Sequence, residues 1–318
     1  MHFNLRITSK TTAPLSAHAS RAFLFVALTL LASVVAHAQS NKSRGVVNPN
    51  APATPAPAPL LTRSTTRHET RRFGYGGTFT IYGAPEGSIT VEAWARNEVD
   101  VTADIELKAN TEEELSRLAA VNDFSLDADS THLTLLTTGT HDRKFMKRAA
   151  KDFPKKLLAL PWKIDYRIRV PASIDLEINA GSGALTVTNT EGALSLYAGE
   201  SKAALTLGGG DVVSTIAGGS VTLRVTAQSW RGRGASVRLV RGDLTIELPA
   251  NFNADIDATV LRSGRIENNH PAVSPRESSS SPERQLRARA GSGGATLAFE
   301  VGDGQIRITQ ATTDEKKP

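Results

Sequence analysis

The chain has no cysteine. That excludes disulfides, thiolate metal sites, a cysteine nucleophile and a lipid-carrying cysteine, so packing and backbone hydrogen bonds must hold the fold together. Aromatic residues are scarce, at 5%, which argues mildly against a sugar cleft built on stacked rings. Long apolar runs are scarce too. The single one is Ala22 to Ala36, fifteen residues, "AFLFVALTLLASVVA". It follows Arg6, Lys10 and Arg21 in a stretch without acids and ends in Ala36-His37-Ala38. A basic start, a short apolar core and a small-x-small ending make residues 1–38 a signal peptide cut after Ala38. A spanning helix wants about 20 apolar residues, so a retained anchor is the weaker reading. The mature chain is therefore expected to lack a transmembrane span and to be exported, to the periplasm, the outer cell surface or the medium.

Net charge is small once the leader is removed. Loss of its three cations and no anions takes the formal +5 to +2. A protein-wide field for nucleic acid is not supported. His2, His18 and His37 leave as well, so the mature histidines are His68, His132, His141 and His270. None has a helical ligand-pair spacing, and no carboxylate pattern accompanies them. Gly208 to Val213, "GGGDVV", lacks the repeated register of a calcium β-roll. Asp123, Asp127 and Asp129, like Asp255 and Asp257, alternate as solvated acids on a strand face would. The glycine-rich stretches at Gly181 and Ala290 lack the following Lys-Ser/Thr of a phosphate loop. No nucleophile elbow or triad context stands out. No catalytic residue, cofactor or metal ligand is nominated.

What the sequence does contain is repetition. Gly183-Ala-Leu-Thr-Val-Thr is followed nine residues later by Gly192-Ala-Leu-Ser-Leu-Tyr. The same glycine and alternating apolar phrase recurs at Gly87, Gly219, Gly242 and Gly304, and in shortened form at Gly264. Period-two alternation makes each phrase one half-buried strand with a glycine corner. Val170-Pro171-Ala and Leu248-Pro249-Ala begin a longer internal match, and each proline is expected to open a strand. Such strands cannot bury an apolar face singly, but stacked they share a core. The expected class is all-β, with stacked β-strand repeats forming a β-solenoid-like stack or an elongated β-sandwich, and one or two short helices. Roughly 230 residues suffice for its core.

The clearest helix is Asn110 to Val121, with Thr111 as N-cap, Glu114 completing a capping box, and Leu115, Leu118 and Ala119 buried. Arg143 to Trp162 is the second candidate. Its face of Phe145, Met146, Ala149, Ala150 and Phe153 runs to Pro154. Residues 39–72 read as a Pro/Ala-rich disordered spacer, 73–310 as the β-repeat domain, 268–285 as a disordered Ser-rich loop and 311–318 as a polar tail.

These pieces together resemble a bacterial family of exported β-strand-repeat domains of unknown function, known as "putative adhesins". The residues carrying the likeness are Gly87-Ser-Ile-Thr-Val-Glu-Ala-Trp94, Asn97-Glu-Val-Asp-Val, the acidic helix at Thr111, the two Pro-Ala motifs and the glycine phrases, over about 79–309. The resemblance implies a right-handed, mostly β stacked fold, a cell-envelope location and no catalytic residues. The basic insert near Arg143 and the Ser-rich loop near Ser278 depart from it.

That insert carries the directional message. Arg143, Lys144, Lys147, Arg148, Lys151, Lys155 and Lys156 face only Asp142 and Asp152, with Phe145, Met146 and Phe153 interleaved. The pattern suits contact with an anionic membrane surface or an anionic polymer. It also suits a solvated helix capping the stack. Arg231, Arg233, Arg238 and Arg241 form a second basic group on strand-like sequence. The leading expectation is a non-enzymatic envelope protein presenting a β-repeat surface for adhesion or ligand binding, to polysaccharide, protein or membrane. An envelope-stress scaffold that touches the membrane through the insert, and a carbohydrate-active β-helix enzyme, stay open beside it.

Overall fold

The computed structural model describes residues 59–73, 76–276, 281 and 283–312. The leader, most of the spacer, the heart of the Ser-rich loop (277–280 and 282) and the tail from 313 lie outside the described residues. In chain order the strands are β1 (Leu61–Arg72), β2 (Thr78–Tyr82), β3 (Ile89–Trp94), β4 (Glu98–Ala109), β5 (Asp123–Ala128), β6 (His132–Thr138), β7 (Trp162–Pro171), β8 (Asp175–Ala180), β9 (Gly183–Thr188), β10 (Ala193–Leu207), β11 (Gly209–Val225), β12 (Arg231–Leu248), β13 (Ala254–Asn268), β14 (Val273–Pro275), β15 (Gln285–Ala290) and β16 (Thr296–Gln310). The helices are α1 (Glu112–Ala119), between β4 and β5, and α2 (Arg143–Ala149), between β6 and β7.

The long strands explain the repeat. In β10, Leu194, Leu196 and Ala198 are buried, and then Ala203, Leu205 and Leu207. The inward parity changes across Gly199-Glu200. A one-residue slip flips a strand's faces, so at a bend it keeps the apolar side inward on both arms. Each such strand is a rung with two arms. The first arm of β10 pairs with β8 and the second with β9, both in parallel. β10 pairs with β11, β11 with β12, β12 with β16 and β16 with β13 in the same way. Towards the N-terminal end, β2 and β3 form one rung and β6 and β7 the next. Antiparallel pairs sit at the two ends: β1 on β4 and β4 on β7, β5 on β6, and β14 on β15 on β13. The body of the stack is parallel, unlike the antiparallel pairing of the sandwich alternative.

Columns of aliphatic side chains fill the space between the walls. On the second arms, Ile168, Val91, Val187, Leu205, Leu223, Ile246 and Ile308 are register neighbours from rung to rung. All are buried. Full burial of one such side chain contributes about 1.5–3 kcal/mol. The phrase glycines at 87, 183, 219, 242, 264 and 304 sit at the corner entering a second arm, all at positive φ. Gly192 instead precedes a first arm. Nine residues is therefore the step from one wall to the other. The rung-to-rung step is eighteen, as Leu176, Leu194 and Val212 face one another in turn.

Several expectations need correction. Residues 61–72, assigned above to the spacer, are strand β1, paired along its length with β4. The segment 268–276 is ordered. It contains β14 and a buried His270 whose ring nitrogen lies 3.0 Å from the Pro249 carbonyl. Pro171 and Pro249 close second arms rather than opening strands. Each proline carbonyl accepts from the N–H three residues on, Ile174 at 3.3 Å and Phe252 at 3.2 Å, so both end a rung in the same tight turn. A missing N–H costs little where the ladder stops.

α1 begins as its sequence indicates. The Thr111 hydroxyl accepts from the Glu114 N–H at 3.2 Å, and Glu114 accepts from the Asn110 N–H at 3.2 Å. Leu115 and Leu118 are buried, but Ala119 is exposed. Thr111→Ala should cost about 1 kcal/mol, within the 0.5–2 kcal/mol of lost N-caps, read as a lowered urea midpoint at constant slope. α2 is shorter than expected. It leaves helical geometry at Ala150 (φ −141°, ψ 56°), well before Pro154, and Ala149 is exposed. A single 3-10 turn, Lys155–Leu157, follows and buries Leu157.

Candidate anionic-surface site

The basic insert occupies a defined place. β6 and β7 are the two arms of one rung, and residues 139–161 between them stand where β8 and β9 are joined by Gly181-Ser182 alone. The insert is an expanded corner, projecting from the stack's ridge near its N-terminal end.

Asp142 starts α2. Its Oδ1 accepts from the Lys144 N–H at 2.8 Å and the Phe145 N–H at 3.0 Å. The Phe145 N–H, with the Lys144 N–H, holds this carboxyl below the ordinary aspartate range, so it stays charged as a cap. Four-residue spacing then sorts the helix. Met146 and Ala150 turn inward, while Arg143, Lys147 and Lys151 follow one another along the adjoining edge. Phe153 and the 3-10 turn fold back opposite. The result is a cavity of about 430 Å³ lined by Met146, Ala150, Phe153 and Leu158, with Arg143, Lys147, Lys151 and Lys155 around it and Thr140 at one side. Leu158 is 42% exposed and Met146 8%.

Of the seven expected contact residues, the fold brings these four together. Lys144 and Arg148 do not line the cavity. Lys156 binds Glu114 of α1 at 2.8 Å, and that contact, with Asn110, holds the Glu114 carboxyl below its usual range. All seven side chains belong to exposed residues. Among the described residues, Lys156 is the one cation of the seven with an acidic partner within 4 Å.

The second basic group behaves differently. Arg231 pairs with Glu191 at 3.0 Å, Arg233 with Asp211 at 2.9 Å, Arg238 with Glu300 at 2.7 Å and Arg241 with Glu200 at 2.7 Å. The second basic group is thus balanced by acids from β10, β11, β16 and the turn before β10. Asp255 lies between Arg276 and Arg289, and Asp303 holds Arg262. Exposed pairs of this kind add little stability each, but they cancel charge locally.

One other surface feature stands out. Leu136, Tyr82, Asn179, Tyr197 and Thr215 are register neighbours on the outer face of the first-arm wall. Tyr82 is 45% and Tyr197 58% exposed. The tryptophans serve structure: Trp230 is buried with its Nε1–H on the Gly210 carbonyl, and Trp94 lies between the guanidinium groups of Arg96 and Arg169. Among the described residues, no three His, Asp or Glu side chains converge as a metal-ligand group, and no helix is long and apolar enough to cross a membrane.

Sequence reasoning located the cations and most of the apolar lining. It missed Thr140, just before α2, and Leu158, which reaches the cavity only because the chain folds back after Ala150.

No protein-family profile and no curated protein matches the chain. It is similar to solved structures of a "putative cell adhesion protein" from Clostridium sporogenes ATCC 15579 (13% identity, 78% of this chain and 100% of the other, TM-score 0.36). It is likewise similar to a "putative adhesin" from Bacteroides fragilis NCTC 9343 (12% identity, 78% and 97%, TM-score 0.35). No residue role is carried over from either.

Proposed function

We propose that this is a non-enzymatic, exported protein of the cell envelope, whose β-stack holds out a binding surface and whose basic insert contacts an anionic membrane surface. One observation carries the reading. Among the described residues, six exposed cations with no acid within 4 Å cluster on an expanded corner, whereas Arg231, Arg233, Arg238 and Arg241 of the stack each meet one. A helix serving only as a cap would gain nothing from leaving that charge uncompensated. The Pro/Ala-rich segment before the stack would give it reach.

The test is sedimentation of the exported, processed protein with vesicles of phosphatidylcholine alone or with phosphatidylglycerol. Each cation close to an anionic membrane contributes about 1 kcal/mol, so four engaged cations amount to roughly a thousandfold in affinity. Binding should require phosphatidylglycerol, weaken steeply as salt shortens the screening length, and disappear when all seven cations are replaced by glutamine. Equal binding to both vesicle types, or full binding by the neutralised variant, would sink the idea.

The outward row of Tyr82, Asn179 and Tyr197 favours a second role for the same stack: a flat adhesive face for envelope polysaccharide or a neighbouring cell. Aromatic faces beside polar groups are suited to such contact.

A further inference from the structure

We infer that the cavity beneath α2 takes the acyl chain of an anionic lipid, its headgroup held by Arg143, Lys147, Lys151 and Lys155. The inference rests on the proposed membrane contact and deepens it. Electrostatic docking on a membrane needs exposed cations but no cavity. A polysaccharide or nucleic acid polyanion would meet the cations but leave an apolar floor unused. Here both occur together. Met146, Ala150, Phe153 and Leu158 give the apolar lining, with Met146 buried and Leu158 exposed, and Arg143, Lys147, Lys151 and Lys155 line the same cavity. An apolar cavity lined also by cations is the complement of one hydrocarbon tail carrying one anionic head. The cavity's volume of about 430 Å³ falls within the roughly 300–1,000 Å³ typical of small-ligand sites. Uncompensated cations are where an anionic headgroup gains most, since it displaces no existing ion pair.

Met1 and Met146 are the only methionines in the chain, so a methyl-13C methionine label reports on the cavity floor almost in isolation. Dodecanoate, kept below micellar concentration, is the probe. The Met146 methyl resonance should shift saturably. Affinity should rise about fourfold for each methylene added from octanoate upward, until the cavity is full. Dodecanol should bind at least about tenfold more weakly, as should dodecanoate to the variant with the four rim cations replaced by glutamine. Ala150→Phe, which fills the floor, and Leu158→Asp, an exposed change that puts an anion beside the site, should each abolish the shift.

An unmoved Met146 resonance with dodecanoate overturns the inference. If phosphatidylglycerol vesicles still bind in that case, the membrane contact stands without the acyl site. If neither binds, both readings fall. Dodecanol binding as tightly as dodecanoate overturns the anionic assignment. Unchanged binding by both Ala150→Phe and Leu158→Asp overturns the location.

Discussion

Gly242→Ala is expected to destabilise the protein by on the order of 3–5 kcal/mol, among the largest effects of any single methyl group in the chain. Gly242 opens the second arm of β12 at φ +126°, and a Cβ there would lie 1.8 Å from the Gly219 carbonyl oxygen of the rung below. The clash is with backbone, so no rotamer change relieves it. Nor can the rungs part, because ladder hydrogen bonds on both arms hold them about 4.8 Å apart. Gly304 of the rung above would meet the Gly242 carbonyl in the same way, also at 1.8 Å, so a shift of Gly242 propagates. Gly76→Ala is the control. It too has positive φ, +75°, but no described residue lies within 4 Å of its Cβ position, so only the backbone preference of about 1–2 kcal/mol is lost. Urea denaturation should show a much larger midpoint shift for Gly242→Ala than for Gly76→Ala, at similar slopes. Equal shifts would mean that the corner column does not restrain rung spacing.

That column also shows how far the sequence could be read. The glycine phrases were legible because most of these corners take a positive φ that glycine alone adopts readily, and the alternation after each reports one buried face. The eighteen-residue rung was not, because Ser201 stands in the column between Gly183 and Gly219 and interrupts the pattern. β1 was missed for a related reason. "LTRSTTRHETRR" buries no residue fully and is held mainly by its backbone ladder to β4, so it offers no apolar period to detect. Its arginines and threonines read as spacer until Arg67 is seen on Asp123 and Arg169 on Asp100 beside it.

The basic insert was legible as charge but not as a site. Whether a cation is free depends on the acids that the fold brings opposite it. Arg231 meets Glu191 from 40 residues away, and Arg238 meets Glu300 from 62. Both basic groups look alike along the chain. Only the fold, which among the described residues places acids beside one group and none within 4 Å of six cations in the other, separates a neutralised wall from exposed charge. The cavity is equally non-local, since it depends on α2 ending at Ala150 and the chain returning through Phe153 to Leu158.

Ending the chain after Ser292 is expected to unfold β13 to β15 and leave the remainder prone to aggregate, although only the last glycine phrase is removed. Phrase order along the sequence would stack β13 on β12 and put β16 at the end. The structure instead inserts β16 between them, parallel to both. β13 has no direct ladder to β12, so it must wait for the C-terminal strand, a long-range closure of the kind that slows folding. β16 also buries Leu297, Phe299, Val301, Ile306 and Ile308. At about 1.5–3 kcal/mol each, their loss amounts to roughly 8–15 kcal/mol, comparable to the whole stability of a typical domain. The truncation would expose the long edge of β12, a template for pairing with other chains. A chain ending after Ala311 keeps β16 and serves as control. Hydrogen exchange should show the Asp255, Asp257 and Thr259 amides, which face β16, unprotected in the shorter chain and protected in the control, with soluble yield falling in the shorter one alone. Native protection of β13 without β16 would mean that β13 docks on β12 directly, and the inserted order would be wrong.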